Sequence, residues 1–198
     1  LVVAVQVTDN SAARILDNMR AAAEDGADIA VIAPPFFLMN ATPENVVALY
    51  REAIRGCPIP VGIYDRGKHS SVAVPLKVIK AVMQEKNVIL LKDSSGDPER
   101  RDLFVAIRKK RRDLRILNGN EFDCVSYIKA GYDGIEHINM LFLNFLATHE
   151  TDTRTTQRFI LVGEGAAGLD LGSKEVKEFV ALLKARGTII DPTLGAFE

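Results

Sequence analysis

Short apolar runs rich in β-branched residues alternate along the chain with longer stretches of helical period. The runs Val2–Val7, Asp28–Ala33, Pro60–Tyr64, Val88–Lys92, Leu114–Asn118, Asp133–Ile138 and Thr188–Asp191 predict seven strands. Between them, Ser11–Asp25 predicts a helix that Gly26 stops. Thr42 caps a helix with Pro43 at its first position, and Asp97-Pro98-Glu99 opens another in the same way. Ser173 caps a last helix with Val176, Phe179, Val180, Leu182 and Leu183 as its apolar face, and Gly187 ends it. The long stretch between Ile138 and Thr188 is irregular and includes the polar run Thr151–Thr156. Within it Phe159–Val162 is too short for periodicity to separate strand from helix. Gly163-Glu164-Gly165 and Gly168 read as loop, since they follow no strand in the spacing of a dinucleotide fingerprint.

Strands apolar on both faces, separated by crossover helices, predict a parallel sheet covered on both sides. The first five strands begin at positions 2, 28, 60, 88 and 114, spaced by 26 to 32 residues, as a repeated βα unit requires. The fold class is therefore α/β, a parallel (β/α) barrel of the TIM type. A complete barrel of that kind takes about 250 residues. With 198 residues, this one is expected to be incomplete or recombined, a single domain over residues 1–198 with seven or eight strands. The chain opens on Leu1, inside what reads as a buried strand, so it is expected to begin within a larger architecture.

Composition narrows the function classes. A chain that is 47% hydrophobic and 26% charged, with a net charge of -1, has no basic excess to attract nucleic acid. Cys57 and Cys124 are the only cysteines and have no metal-knuckle spacing, which points to neither a disulfide framework nor a zinc site. No apolar run approaches the roughly 18 residues of a membrane span. The start lacks the basic region of a secretory signal, and a cytoplasmic location is expected.

Lys92 closes the apolar strand Val88-Ile89-Leu90-Leu91, where an ammonium is costly unless it is paired or loses its proton. At a strand's C-terminal end in an α/β barrel it stands where active sites are built. Desolvation there would favour the neutral amine, which attacks carbonyls and forms Schiff bases. The alternative is a lysine that snorkels from the barrel mouth and pairs with Asp93. Tyr64 ends Pro60-Val61-Gly62-Ile63 in the same way, and its phenol could relay a proton to a carbinolamine. Its alternative is a rim tyrosine with a packed ring and a wet hydroxyl.

The segment Val88-Ile89-Leu90-Leu91-Lys92-Asp93-Ser94-Ser95-Gly96-Asp97 resembles the Schiff-base lysine segment of the dihydrodipicolinate synthase / N-acetylneuraminate lyase family. Ile63-Tyr64-Asp65 is similar to that family's Tyr-Asn strand end. Ala33-Pro34-Pro35-Phe36-Phe37 resembles its Thr-Pro-Tyr-Tyr strand end, and Leu117-Asn118-Gly119-Asn120-Glu121 with Ala130-Gly131-Tyr132-Asp133-Gly134 resembles its next two strands. The resemblance runs over about residues 1–134 in the family's order. It implies a lyase or aldolase of the class I, Schiff-base type acting through Lys92 on a small 2-oxo acid such as pyruvate. It also implies Tyr64 as proton relay, Gly119 and Asn120 as substrate contacts, and no metal or organic cofactor. Some family features have no counterpart here. The first two strands with their Gly-Thr-Thr loop are absent, Phe36 and Phe37 lack the relay hydroxyl, and His69 stands near the place of the usual arginine, for which Arg66 comes too early. These departures favour a simpler retro-aldol or another 2-oxo acid reaction over a synthase.

A second resemblance begins near Gly134. Asp133-Gly134-Ile135-Glu136-His137-Ile138-Asn139 and Gly187-Thr188-Ile189-Ile190-Asp191-Pro192-Thr193-Leu194 are similar to two strands of the metal-dependent amidohydrolases, in which the His137 counterpart binds metal. The chain has only His69, His137 and His149, no HxH or HExxH pair, and too few candidates for the three protein ligands a zinc site needs, so no metal is expected. The implied organisation is a chimera, lyase-like over 1–134 and amidohydrolase-like over 135–198. An inactive chimeric or truncated barrel scaffold is the alternative to the lyase, and a homo-oligomer is one way to close its open seam. The basic run Arg108-Lys109-Lys110-Arg111-Arg112 reads as a solvated helix end that complements the helix dipole.

Overall fold

A computed structural model describes residues 1–120, 123–137, 141–148, 150–153 and 155–191. Expectations placed on Glu121, Ile138, Asn139, His149, Arg154 and Pro192–Leu194 lie outside the described residues. The chain forms two compact units, Leu1–Ile116 and Leu117–Glu198.

The first unit runs β1 (Ala4–Gln6), α1 (Ala12–Glu24), β2 (Ile29–Ile32), α2 (Pro43–Gly56), β3 (Val61–Asp65), α3 (Leu76–Val82), β4 (Val88–Asp93) and α4 (Pro98–Lys110), and then enters β5 (Arg115–Asn118). The helices start where their caps place them. Ser11 accepts the Arg14 N–H, Thr42 the Asn45 N–H and Asp97 the Glu99 N–H, each satisfying a donor that the first turn leaves over. Strands β1 to β4 pair in parallel, each with the next. Ile32, Ile63 and Leu91 stand in one register row and are fully buried, with Ile15, Met19, Tyr50, Ile54, Ile79 and Phe104 of the helices completing the core. The next row lies on the other face, where a Cβ added to Gly62 would meet Val31 at 3.1 Å and Leu90 at 3.3 Å. Two apolar side chains thus close over a glycine.

The expectation of a buried first strand is corrected. Ala4–Gln6 is exposed throughout, as are Leu1, Val2 and Val3. Among the described residues β1 is hydrogen-bonded to β2 alone, and an end strand has one side without a partner.

The second unit carries the end of β5, α5 (Cys124–Ala130), β6 (Gly134–Glu136), α6 (Leu143–Leu146), α7 (Gln157–Gly165), α8 (Lys174–Arg186) and β7 (Ile189–Asp191). Leu117 pairs with Gly134 and Gly134 with Ile189, again in parallel. Gly134 has no room for a side chain, since a Cβ would come within 2.6 Å of Leu117 Cδ2 and 2.8 Å of the Ile189 carbonyl oxygen. α8 begins with Ser173 accepting the Val176 N–H and ends at Gly187 in the left-handed region. Its apolar face is narrower than expected: Val176 and Phe179 are buried, Phe179 in edge-to-face contact with Phe145, but Val180 is exposed.

Phe159–Val162 is helical and lies in α7. Gly163 and Gly165 belong to the same helix and Gly168 to a 3-10 turn after it, which corrects the loop reading. A helical glycine costs about 1 kcal/mol relative to alanine, so it weakens a helix without forbidding one.

Candidate active site

Lys92 and Tyr64 are neighbours across the β3–β4 ladder, and a bulge makes them so. Val61 pairs with Val88, but Gly62 already pairs with Leu90, so β4 gains one residue at Ile89. Tyr64 therefore stands opposite Lys92 and Asp65 opposite Asp93. In an unshifted ladder Lys92 would face Asp65. Both Lys92 and Tyr64 are half-buried, on the same face as the Val31–Gly62–Leu90 row. The Lys92 Nζ lies 5.1 Å from the centroid of the Tyr64 ring, within cation–π range. The two predicted catalytic side chains are thus together, with Val31 and Leu90 on the same face in the row two residues before them.

The ends of β3, β4 and β5 are each closed by a buried side chain that bonds the backbone two residues on. Asp65 accepts the Gly67 N–H at 3.0 Å, Asp93 the Ser95 N–H at 2.9 Å and Asn118 the Asn120 N–H at 2.8 Å. Asn118 also donates to the Asn120 carbonyl at 2.8 Å. These turns stop the strands one residue after Tyr64 and Lys92 and fix the loops that follow. Gly67 takes φ of 52°, and a Cβ there would lie 2.7 Å from that of Ser95. The loop after β3 is packed against the loop after β4.

Arg100 was not singled out by sequence reasoning. It is buried in the first turn of α4 and donates from Nη1 to Asp65 Oδ2 at 2.5 Å and from Nη2 to the Val74 carbonyl. A cation in a helix's first turn opposes the helix dipole, and that was the signal available: it implies a partner elsewhere. The Tyr50 hydroxyl is buried beside this pair, raised above its usual value by burial and by the Asp65 carboxylate, with Arg100 opposing.

The other sequence candidates fall as follows. Gly119 and Asn120 follow β5 in the second unit and are half-buried. Phe36 and Phe37 are exposed, Phe37 held by its N–H donating to Asn10 Oδ1 at 3.0 Å. His69 ends the 3-10 turn Gly67–His69. His137 follows β6 with φ of 60°. Among the described residues no three His, Cys, Asp or Glu side chains are grouped so as to hold a metal ion, and no helix is long and apolar enough to cross a membrane. The thiols are unpaired; Cys124 is buried and pushed up to about 12, chiefly by burial, while Cys57 is half-buried and also raised.

The basic run is not uniformly solvated. Arg111 reaches back under the α3–β4 connection and donates to the carbonyls of Met83, Glu85, Lys86 and Val88. Its Nη2 also meets Asp113 at 2.5 Å.

Compared with known proteins, residues 2–142 match the sequence model of the Dihydrodipicolinate synthetase family. The chain belongs to this family. Among curated relatives, 4-hydroxy-tetrahydrodipicolinate synthase of Kosmotoga olearia is 24% identical over 127 residues, covering 64% of this chain and 43% of the relative. That of Rhizorhabdus wittichii is 26% identical over 124 residues, covering 62% and 41%. The chain thus spans about two-fifths of the length of the curated relatives it matches. Among solved structures, dihydrodipicolinate synthase of Bacteroides thetaiotaomicron aligns with a TM-score of 0.62 at 22% identity, over 93% of this chain and 58% of that one. The Thermotoga maritima enzyme aligns at 0.63 and 19%, over 94% and 76%. The fold class expected from the βα repeat holds: α/β, with seven strands among the described residues, consistent with an incomplete barrel of the TIM type.

Proposed function

We propose that the chain is a class I aldolase or lyase that forms a Schiff base between Lys92 and a small 2-oxo acid such as pyruvate. The observation that carries this reading is the register placing Tyr64 opposite Lys92 at the C-terminal ends of two parallel strands, with the amine over the phenol ring. Family membership supports the same chemistry. In the proposed reaction the Lys92 nitrogen attacks the substrate C2 carbonyl and gives a carbinolamine. Tyr64 hands a proton to the carbinolamine hydroxyl, which leaves as water, and the iminium remains. Loss of a C3 proton, or cleavage of the bond to C4 in a longer substrate, yields the enamine, with the iminium nitrogen taking the electron pair. No step requires a metal or an organic cofactor. Gly119 and Asn120 are kept as substrate contacts on the resemblance alone, and a cytoplasmic location and self-association are part of the same reading.

The amidohydrolase-like ancestry proposed for residues 135–198 concerns origin rather than chemistry; it rests on two strand-end segments alone, and the first of them, residues 133–139, lies within the family match over residues 2–142. A coding sequence continuous with a single natural gene would overturn the chimera.

Borohydride reduction in the presence of pyruvate tests the enzymatic reading. The intact protein should gain one pyruvate less one oxygen atom, the mass of a reduced imine, and Lys92→Ala should gain nothing. Tyr64→Phe should still form the adduct, but about a hundredfold more slowly. An unmodified wild-type protein would leave the inactive scaffold as the better account.

A further inference from the structure

Arg100 stands behind the sheet from Lys92. Side chains alternate along a strand, so Tyr64 and Lys92 share one face while Asp65 and Asp93, one residue on, point to the other. Arg100 meets Asp65 on that rear face. Its guanidinium joins three pieces of chain: the first turn of α4, the end of β3 through Asp65 Oδ2, and the segment leading into α3 through the Val74 carbonyl. Asp65 in turn ties the loop after Tyr64 to the chain after Lys92. Its Oδ1 accepts the Gly67 N–H, and its carbonyl accepts the Ser94 N–H at 2.8 Å, two residues after Lys92. A Cβ at Gly67 would also come within 3.5 Å of Arg100 Nε, so the guanidinium is packed against the loop it secures.

A buried ion pair is a poor source of net stability, because removing both charges from water offsets most of their attraction. Such a pair has a clearer use in fixing one geometry. Here the geometry is the end of the β3–β4 ladder, where a one-residue bulge sets Tyr64 opposite Lys92.

We propose that Arg100, acting through Asp65, is a positioning residue that holds the Lys92 amine and the Tyr64 ring in their shared register without touching substrate. The proposal rests on the Schiff-base reading of Lys92. Displacing a reacting group by about 1 Å costs up to about a hundredfold in rate, so loosening the clamp should lower the rate of imine formation at saturating pyruvate. The pyruvate concentration for half-maximal rate should move little.

The decisive variant is Arg100→Met with Asp65→Asn, which removes both charges but keeps an Oδ1 for the Gly67 N–H. Folding is followed by circular dichroism, and imine formation by borohydride trapping over a range of pyruvate concentrations. The expected result is a folded protein whose saturating trapping rate is down about ten- to a hundredfold, with half-saturation within about twofold of wild type. A folded double variant trapping at the wild-type rate would overturn the positioning role and leave the Schiff-base reading standing. A wild type that traps nothing would remove both. Should the double variant fail to fold, Arg100→Lys decides the matter. It keeps the charge against Asp65 but cannot also reach the Val74 carbonyl with a second arm. A reduced saturating rate in that folded protein supports the proposal, and an unchanged rate overturns it.

Discussion

Replacing Arg111 by methionine tests how much of the first unit hangs on a single side chain. Arg111 caps the C-terminus of α4 and is 17% exposed, and its guanidinium donates to the carbonyls of Met83, Glu85, Lys86 and Val88 at 2.8 to 3.3 Å. Those four groups span the connection from α3 into β4, the strand that carries Lys92. A hydrogen bond to a charged group contributes about 1.5–3 kcal/mol net. The four do not simply add, because one guanidinium shares its field among them and water reaches its rim. Methionine preserves much of the stem's packing, so the loss should be about 2–4 kcal/mol, most of it from carbonyls left without a donor. The chain has no tryptophan, so urea unfolding is best followed by far-ultraviolet circular dichroism. The midpoint should fall by roughly 1–2 M with the slope unchanged. The exposed neighbours Lys110 and Arg112 serve as controls; Lys110→Met and Arg112→Met should stay within about 0.5 kcal/mol of wild type. Equal effects from all three substitutions would mean that the run acts as a diffuse positive helix end, and would refute the clasp.

Two further outcomes follow from the second unit. Gly134→Ala should destabilise by about 1–3 kcal/mol or more, since the new methyl meets the Ile189 carbonyl oxygen as well as the Leu117 side chain; thermal unfolding that matches wild type would contradict that packing. Cys124 holds its proton up to about 12 in the folded protein, against an ordinary value of 9.0. Its folded value is raised, so its contribution is fully present below about pH 9 and is lost as the pH climbs towards 12. The stability difference between wild type and Cys124→Ala should therefore shrink by about 1 kcal/mol between roughly pH 9 and 10. A difference independent of pH over that range would show that the thiol is not so protected.

Much of the fold was legible from local chemistry. Among the described residues seven strands lie where β-branched runs place them, and Ser11, Thr42, Asp97, Ser173 and Gly187 set helix ends as their capping chemistry requires. Exposure was less legible. Ala4–Gln6 has a core composition, but burial depends on what stands beside a strand, which composition does not encode. The helical state of Gly163 and Gly165 was hidden because glycine weakens helices without excluding them.

The candidate site divides in the same way. Lys92 and Tyr64 could be placed at strand ends, yet their facing one another depends on the bulge at Ile89, and strand register is a long-range property. Arg100 and Arg111 sit in runs of charge that ordinarily face water. Only the fold reveals which carboxylate or carbonyl oxygens each turns inward to meet. Val31, Gly62 and Leu90, which form one row on the Lys92 face, likewise come from three different strands.

The central claim is that the Lys92 nitrogen is the atom that bonds to substrate. Peptide mapping by tandem mass spectrometry after borohydride reduction with pyruvate tests it directly. The account predicts a single modified peptide, with the reduced adduct on Lys92 and none on the exposed Lys68, Lys77 or Lys80. An adduct spread over surface lysines, or a Lys92 peptide recovered unmodified, would contradict it.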